Sequence, residues 1–206
     1  VVLTDVTCQD DVRDLVWETL ARWGRIDILV ANAGAYVRSP TVELNVEEVR
    51  GSMAVNFYGA LYTVLAVQPH LLDQGSGHIV LMSSMDGRKG LPLDAPYVAA
   101  KFALAGYGEV LRQELRAHGV HVTTVFPGRV DTPLIDNLEV PWMSPKISPQ
   151  AVARAVVEAV YRRRPEVVVP FQARLLDLVN TVSPRLGDWI VRVLHLQGWK
   201  KEDAGD

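Results

Sequence analysis

Residues 77–101 read "GHIVLMSSMDGRKGLPLDAPYVAAK", and the order of patterns within them decides the fold. From Gly77 the chain is a continuous apolar run without polar alternation, the pattern of a strand covered on both faces. After a turn-rich stretch, "APYVAAKFALAGYGEVLRQELRAHG" from Ala95 to Gly119 repeats its apolar residues at helical spacing. A doubly covered strand that feeds a helix belongs to a parallel sheet, because parallel neighbours need a crossover. Within the stretch, Ser84 ends the strand, thirteen residues before Tyr97, and Lys101 follows Tyr97 by four residues near the start of the helix. Side chains at that spacing share one helix face about a turn apart.

The same alternation extends in both directions. Toward the N-terminus, Val1–Leu3 read as a short buried strand. "DDVRDLVWETLARWG" is a helix ended by Gly24, "IDILVANAG" a strand stopped at Asn32, Ala33 and Gly34, and "VEEVRGSMAVNFYGALYTVLAVQPHLL" one long helix. Toward the C-terminus come a strand, "VHVTTVFPG", a helix capped by Ser148, "SPQAVARAVVEAVYRRR", and a last strand, "EVVVP". The expected fold class is therefore α/β, a doubly wound parallel sheet with helices on both faces. In such sheets ligands bind at the carboxyl ends of the strands, near Asp5, Asn32, Ser84 and Pro127. Residues 1–170 read as this α/β domain and 171–206 as its helical extension.

The 206 residues are 49% hydrophobic and 22% charged, ordinary for one globular domain. A net charge of −3 with both signs interspersed provides no basic stripe, which argues against a nucleic-acid partner. The single Cys8 excludes an intrachain disulfide and fits a reducing, cytoplasmic setting. His118 and His121 flank a turn with no third ligand near them, so no metal site is expected. No G-x-S-x-G elbow is present, which weakens a serine hydrolase reading.

Tyr97 and Lys101 carry the chemical argument. A free tyrosine titrates near 10, so acid/base work near pH 7 requires its pKa to fall by about 3, at roughly 4 kcal/mol. An ammonium about 4 Å away at an effective dielectric of about 20 supplies approximately that much. An isolated Y-x-x-x-K also fits an ordinary amphipathic helix. It is the convergence with Ser84 and Asn32–Gly34 at one sheet edge that gives the pair weight.

With these motifs in order, "ANAG" at 31–34, "VNFYG" at 55–59, "MSSMDG" at 82–87, "YVAAK" at 97–101 and "PGRVDT" at 127–132, the chain resembles the short-chain dehydrogenase/reductase family from Asp5 to about Pro170. The resemblance implies a Rossmann-like fold and an NAD- or NADP-dependent oxidoreductase, with a lean toward NADP, that interconverts an alcohol and a ketone or aldehyde. It implies that Tyr97 is the general acid/base and that Ser84 binds the same substrate oxygen. Lys101 lowers the tyrosine pKa and holds the nicotinamide ribose, and Asn56 holds a linking water. Ser83 is the lesser candidate beside Ser84. Asn32, Ala33 and Gly34 lie at the adenine ribose, Pro127, Gly128, Val130 and Thr132 at the carboxamide, and Asp5 and Val6 at the adenine. A homodimer or homotetramer is the expected assembly.

The family's T-G-x-x-x-G-x-G loop does not occur in the sequence, and Asp5-Val6 match the end of the family's third strand. The expectation is that two strands and two helices, roughly 50 residues, precede Val1 in a sheet of six or seven strands. The alternative is an impaired paralogue or fragment that acts as a dimerisation or interaction module. Residues 134–147 are the expected specificity loop, with Leu134, Leu138, Val140, Trp142 and Met143 suggesting an apolar substrate. Beyond Pro170, two amphipathic stretches are separated by Pro184. They read as a cover for the cleft or an oligomer interface, or as a peripheral membrane contact through Trp189, Trp199, Arg174, Arg185, Arg192 and Lys200.

Overall fold

Four apolar runs set the architecture, the two central ones buried on both faces and the first exposed at Ile28 and Val30. The computed structural model describes residues 1–142 and 144–200. In chain order, α1 (Gln9–Trp23) leads to β1 (Ile28–Ala31). Next, α2 (Val46–Met53), a π-helical turn (Ala54–Tyr58) and α3 (Gly59–Gln74) form one continuous rod that leads to β2 (Gly77–Met82). After a 3₁₀ turn (Met85–Gly87), α4 (Ala95–Leu115) leads to β3 (Val120–Pro127). Then follow β4 (Leu138–Glu139), α5 (Pro149–Tyr161), β5 (Glu166–Val169), α6 (Ala173–Val182), α7 (Pro184–Val193) and β6 (Trp199–Lys200).

The sheet runs β1-β2-β3-β5 with every pair parallel, in register at Leu29 with Ile79, Leu81 with Thr124, and Val125 with Val167. Each crossover contains a helix, as parallel pairing requires. Ile79, Leu81, Val120 and Val122 pack with Val64, Val67 and Leu71 of α3 and Leu104, Leu111 and Leu115 of α4 on one face. Alternate strand residues point to the opposite face, where α5 packs against β2, β3 and β5. The result is a Rossmann-like parallel sheet covered by helices on both faces. On the α5 face, buried His78 lies 2.7 Å from Thr123 through Nε2 and Oγ1, and the Thr123 hydroxyl donates to the Arg164 carbonyl. That leaves His78 Nε2 as the donor of the pair.

Several local expectations hold. Gly24 ends α1 in the left-handed conformation, and Ser148 caps α5 by accepting from the Ala151 amide at 3.3 Å. Gly119 does the same after α4, at φ 74°, where a Cβ would sit 2.2 Å from the Gly75 carbonyl oxygen.

Three expectations change. Val1–Leu3 form no strand among the described residues, and Val1 and Leu3 are fully exposed, because they make no ladder bonds to β1. The long helix is interrupted at Ala54–Tyr58 by the π turn that carries Asn56. A second small sheet, absent from the sequence reading, pairs β4 antiparallel to β6 and ties the chain's last strand to the loop after β3.

Candidate active site

The carboxyl ends of β1, β2 and β3 open on a cavity of about 1210 Å³. Asn32, Ala33, Gly34, Ser83, Ser84, Tyr97, Lys101, Pro127, Gly128, Val130 and Thr132 all line it. Ser84 lies two residues past the end of β2 rather than in the strand itself, and caps the 3₁₀ turn by accepting the Asp86 amide at 3.1 Å. The Ser83 hydroxyl donates to the Lys101 carbonyl at 3.0 Å, whereas the Ser84 hydroxyl makes only a longer contact, 3.3 Å, to Asp86 Oδ2 at the cavity wall. Tyr97 stands in the first turn of α4, its ring edge-on to Tyr36 at 5.1 Å between centroids. Lys101, one turn on, is buried. Its Nζ lies 5.4 Å from the Tyr97 ring centroid and donates to the Met82 carbonyl at 2.9 Å.

Asn56 is placed by the π turn, a device often found where a helix must re-aim a side chain. It is fully buried, donates to the Ala35 carbonyl at 2.8 Å and to the Ser52 carbonyl at 3.0 Å, and accepts the Ala35 amide at 3.2 Å. These bonds fix the turn after β1. A Cβ on Gly34 would sit 3.0 Å from Asn56 Oδ1 and 3.7 Å from Lys101 Nζ, so glycine keeps this wall thin. Asn56 itself does not line the cavity.

Asp5 and Val6 do not line it either. Asp5 is exposed, and its carboxylate accepts from the Thr7 amide and hydroxyl at 2.9 and 2.8 Å, bonds that hold its pKa below the usual value. Val6 packs against Gly59. In the loop after β3, Leu134, Ile135 and Leu138 line the cavity, whereas Val140 does not and Trp142 is 85% exposed. Met143 and the side chain of Lys200 lie outside the described residues.

Electrostatics differ from the sequence expectation. Burial raises the Tyr97 pKa well above the ordinary phenol value, and the Asp86 charge adds to it, while the Ser84 hydroxyl works in the opposite direction. Lys101 does not offset these effects. Burial lowers its own pKa to about 8 against the pull of Asp86.

The sequence reading did not single out several polar groups that surround the site. Asp94 precedes α4 and is 1% exposed. It accepts the Tyr36 hydroxyl at 2.8 Å and pairs with Arg38 at 3.2 Å. Arg38 also donates to the Gln197 and Gly198 carbonyls, and Arg129 donates to Ser144 Oγ at 3.0 Å and to the Leu196 carbonyl. Asp86 lines the cavity, and burial followed by the Asp94 charge pushes its pKa up to about 7. The available signal was a charge inside a motif otherwise read for its neighbours: Asp86 in "MSSMDG" and Arg129 in "PGRVDT".

The far wall is apolar. Leu176 and Val179 of α6, with Ile190 of α7 and Leu194 and Leu196 beyond it, face the cavity. Ion pairs from the loop after Ser84 hold this wall in place: Arg88 to Asp177 at 3.3 Å and to Glu166, and Lys89 to Asp188.

The family model for short chain dehydrogenases matches residues 1–140. The chain belongs to the short-chain dehydrogenase family. An uncharacterised oxidoreductase of Staphylococcus saprophyticus is 38% identical over 159 residues, covering 77% of this chain and 67% of the relative. A dehydrogenase/reductase SDR family protein 7-like of Drosophila melanogaster is 28% identical over 213 residues, covering 97% of this chain and 65% of the relative. Among solved structures, a short chain dehydrogenase from Burkholderia cenocepacia in complex with NADP superposes with a TM-score of 0.80 at 29% identity, covering 94% of this chain and 77% of that one. A short-chain dehydrogenase from Streptomyces avermitilis gives 0.76 at 26% identity, covering 90% and 76%. The family assignment makes the chain an oxidoreductase.

Proposed function

We propose that this oxidoreductase uses a nicotinamide dinucleotide to interconvert an alcohol and a ketone or aldehyde, with Tyr97 as general acid/base. The observation that carries the reading is the convergence of Ser84, Tyr97 and Lys101 on one cavity at the carboxyl edge of the sheet. The cavity has room for a dinucleotide along the strand ends, with Asn32, Ala33 and Gly34 at one side and Pro127, Gly128, Val130 and Thr132 at the other. Asn32, Ala33 and Gly34 would hold the adenine ribose side, Lys101 the nicotinamide ribose, and Pro127, Gly128, Val130 and Thr132 the carboxamide. When bound, the nicotinamide supplies or accepts a hydride.

In the reductive direction the carbonyl carbon gains that hydride, and its oxygen takes the Tyr97 proton, so that C=O becomes H–C–O–H. Oxidation removes both. Ser84 donates to the same oxygen as negative charge develops on it. Because burial disfavours the Tyr97 anion, the residue starts as the protonated acid, and the Ser84 hydroxyl is the neighbour that favours the phenolate left after proton transfer. The walls formed by Leu134, Ile135, Leu138, Leu176, Val179 and Ile190 favour a substrate with an apolar body.

The test is Tyr97→Phe, assayed for oxidation of NADPH and of NADH with 2-decanone and acetophenone. Loss of the hydroxyl should lower kcat by about 10²- to 10⁴-fold while dinucleotide affinity, followed by cofactor fluorescence, stays nearly unchanged. Retained turnover removes Tyr97 from its role. A wild-type protein that binds neither dinucleotide favours the interaction-module reading.

A second reading concerns the outer face of the last helices. Phe171, Leu178, Val182, Leu186 and Trp189 are exposed there, and the exposed Arg174, Arg185 and Arg192 make no ion pair among the described residues. No helix among them is long and apolar enough to cross a membrane. We propose that this stripe rests on an anionic lipid surface. Co-sedimentation with phosphatidylserine vesicles but not with phosphatidylcholine vesicles is expected, and protein wholly in the supernatant of both refutes it.

A further inference from the structure

We infer that Asp86 is a positioning residue whose proton decides which way the Ser84 hydroxyl donates. The inference rests on the role given to Ser84 above. Asp86 and Ser84 form a closed pair. The Asp86 amide donates to Ser84 Oγ at 3.1 Å, and Ser84 Oγ lies 3.3 Å from Asp86 Oδ2. That contact is the only side-chain hydrogen bond of the Asp86 carboxyl among the described residues. The turn is locked, because a Cβ on the next residue, Gly87, would sit 2.5 Å from Ser83 Oγ and 2.7 Å from the Lys101 carbonyl oxygen. The turn thus holds the Asp86 and Ser84 backbones in one fixed relation, with Asp86 at the cavity wall.

A hydroxyl has one proton to give. When Asp86 is a carboxylate, Ser84 spends that proton on Oδ2 and presents only lone pairs to a carbonyl oxygen, which needs a donor. When Asp86 is protonated, its own O–H donates to Ser84 Oγ, and the serine proton is released toward the substrate. The carboxylate form also places a negative charge beside the oxygen on which negative charge develops. Reduction and oxidation share one transition state, so the protonated form serves both directions.

The influences on Asp86 oppose one another. Lys101 of α4 and Arg129 after β3 favour its anion, as does the Ser84 hydroxyl. Burial and the Asp94 charge favour the acid. Tyr97, also on α4, feels the Asp86 charge in turn. The balance lies near neutrality, where a change of about two pH units moves most of the population from one state to the other.

The experiment compares wild type, Asp86→Asn, Ser84→Ala and the double variant. Carboxyl-carbon NMR of protein labelled at aspartate should show a resonance titrating near pH 7 that is missing from Asp86→Asn. In wild type, kcat for 2-decanone reduction at saturating dinucleotide should fall about tenfold per pH unit above the break. In Asp86→Asn the break near pH 7 should be absent, leaving only the loss near pH 8 that Lys101 gives to both proteins, so the variant stays about tenfold or more faster than wild type at pH 8.5. In the Ser84→Ala background the Asp86→Asn change should not alter the profile, because the coupling runs through the serine. If Asp86→Asn does not fold, Asp86→Ser takes its place.

Three results overturn the inference: an Asp86 carboxyl that titrates below about pH 5, a break near pH 7 that persists in Asp86→Asn, or an equal effect of Asp86→Asn with and without Ser84. The last would assign Asp86 a direct field on Tyr97 instead. Turnover retained by Tyr97→Phe would fail the proposed reaction while leaving the NMR result to judge Asp86 independently.

Discussion

Replacing His78 by glutamine should reduce the acid sensitivity of folding. His78 is 5% exposed on the α5 face, and burial, with smaller contributions from His121 and Arg163, lowers its pKa from 6.5 to about 4. Between those values the unfolded chain takes up a proton that the folded protein refuses. The contribution to stability is therefore complete above pH 6.5 and is lost as pH falls toward 4. At ~1.4 kcal/mol for each pH unit separating the two values, the whole difference is about 3 kcal/mol, of which about 2 kcal/mol is already lost at pH 5. Glutamine keeps a side-chain N–H for Thr123 and carries no titrating charge. Urea unfolding of both proteins at pH 7.5, 6 and 5 isolates the effect, since carboxylates that contribute to acid sensitivity are common to both. The gap between wild type and variant should close or reverse by about 2 kcal/mol from pH 7.5 to pH 5. A gap that stays constant with pH would show that the native state accepts the proton on His78, and the burial argument would fail.

Asp94→Ala leaves Arg38 buried without its carboxylate and removes the acceptor of the Tyr36 hydroxyl. It should lower the unfolding free energy by about 3–5 kcal/mol in urea titration, and a loss under about 1 kcal/mol contradicts it. Asn56→Ala leaves the Ala35 amide and carbonyl without the partners they have now, and should cost about 1–3 kcal/mol by calorimetry. Unchanged stability would mean that the turn after β1 holds without Asn56.

The sheet and its helices were legible because strands covered on both faces have no alternative to a near-continuous apolar run. β2 and β3 are almost wholly buried. Val1–Leu3 carry the same composition without that burial, and composition alone does not supply a neighbouring strand. Within the site, Ser84, Tyr97 and Lys101 could be placed because helix period and strand ends fix where side chains lie. Their protonation could not. Helix spacing reveals the one lysine beside Tyr97, whereas the phenol's acidity depends on burial and on Asp86 and Asp94, brought together by the turn between β2 and α4. The Arg38 and Arg129 contacts span 159 and 67 residues of sequence, separations at which no local pattern survives. The π turn was hidden for a different reason: one extra residue barely disturbs the apolar period of a rod that is helical on both sides.

Arg38 and Arg129 grip the end of the chain by the carbonyls of Leu196, Gln197 and Gly198, and touch none of their side chains through those bonds. Such a clasp recognises the course of the backbone and is indifferent to most of the letters written along it, apart from Gly198, whose φ of 64° favours glycine. Leu196 thus faces the cavity from an anchored backbone. Its side chain can be exchanged to recontour the chamber while the anchorage remains, without disturbing the turn after β2 that carries Ser84 or the first turn of α4 that carries Tyr97.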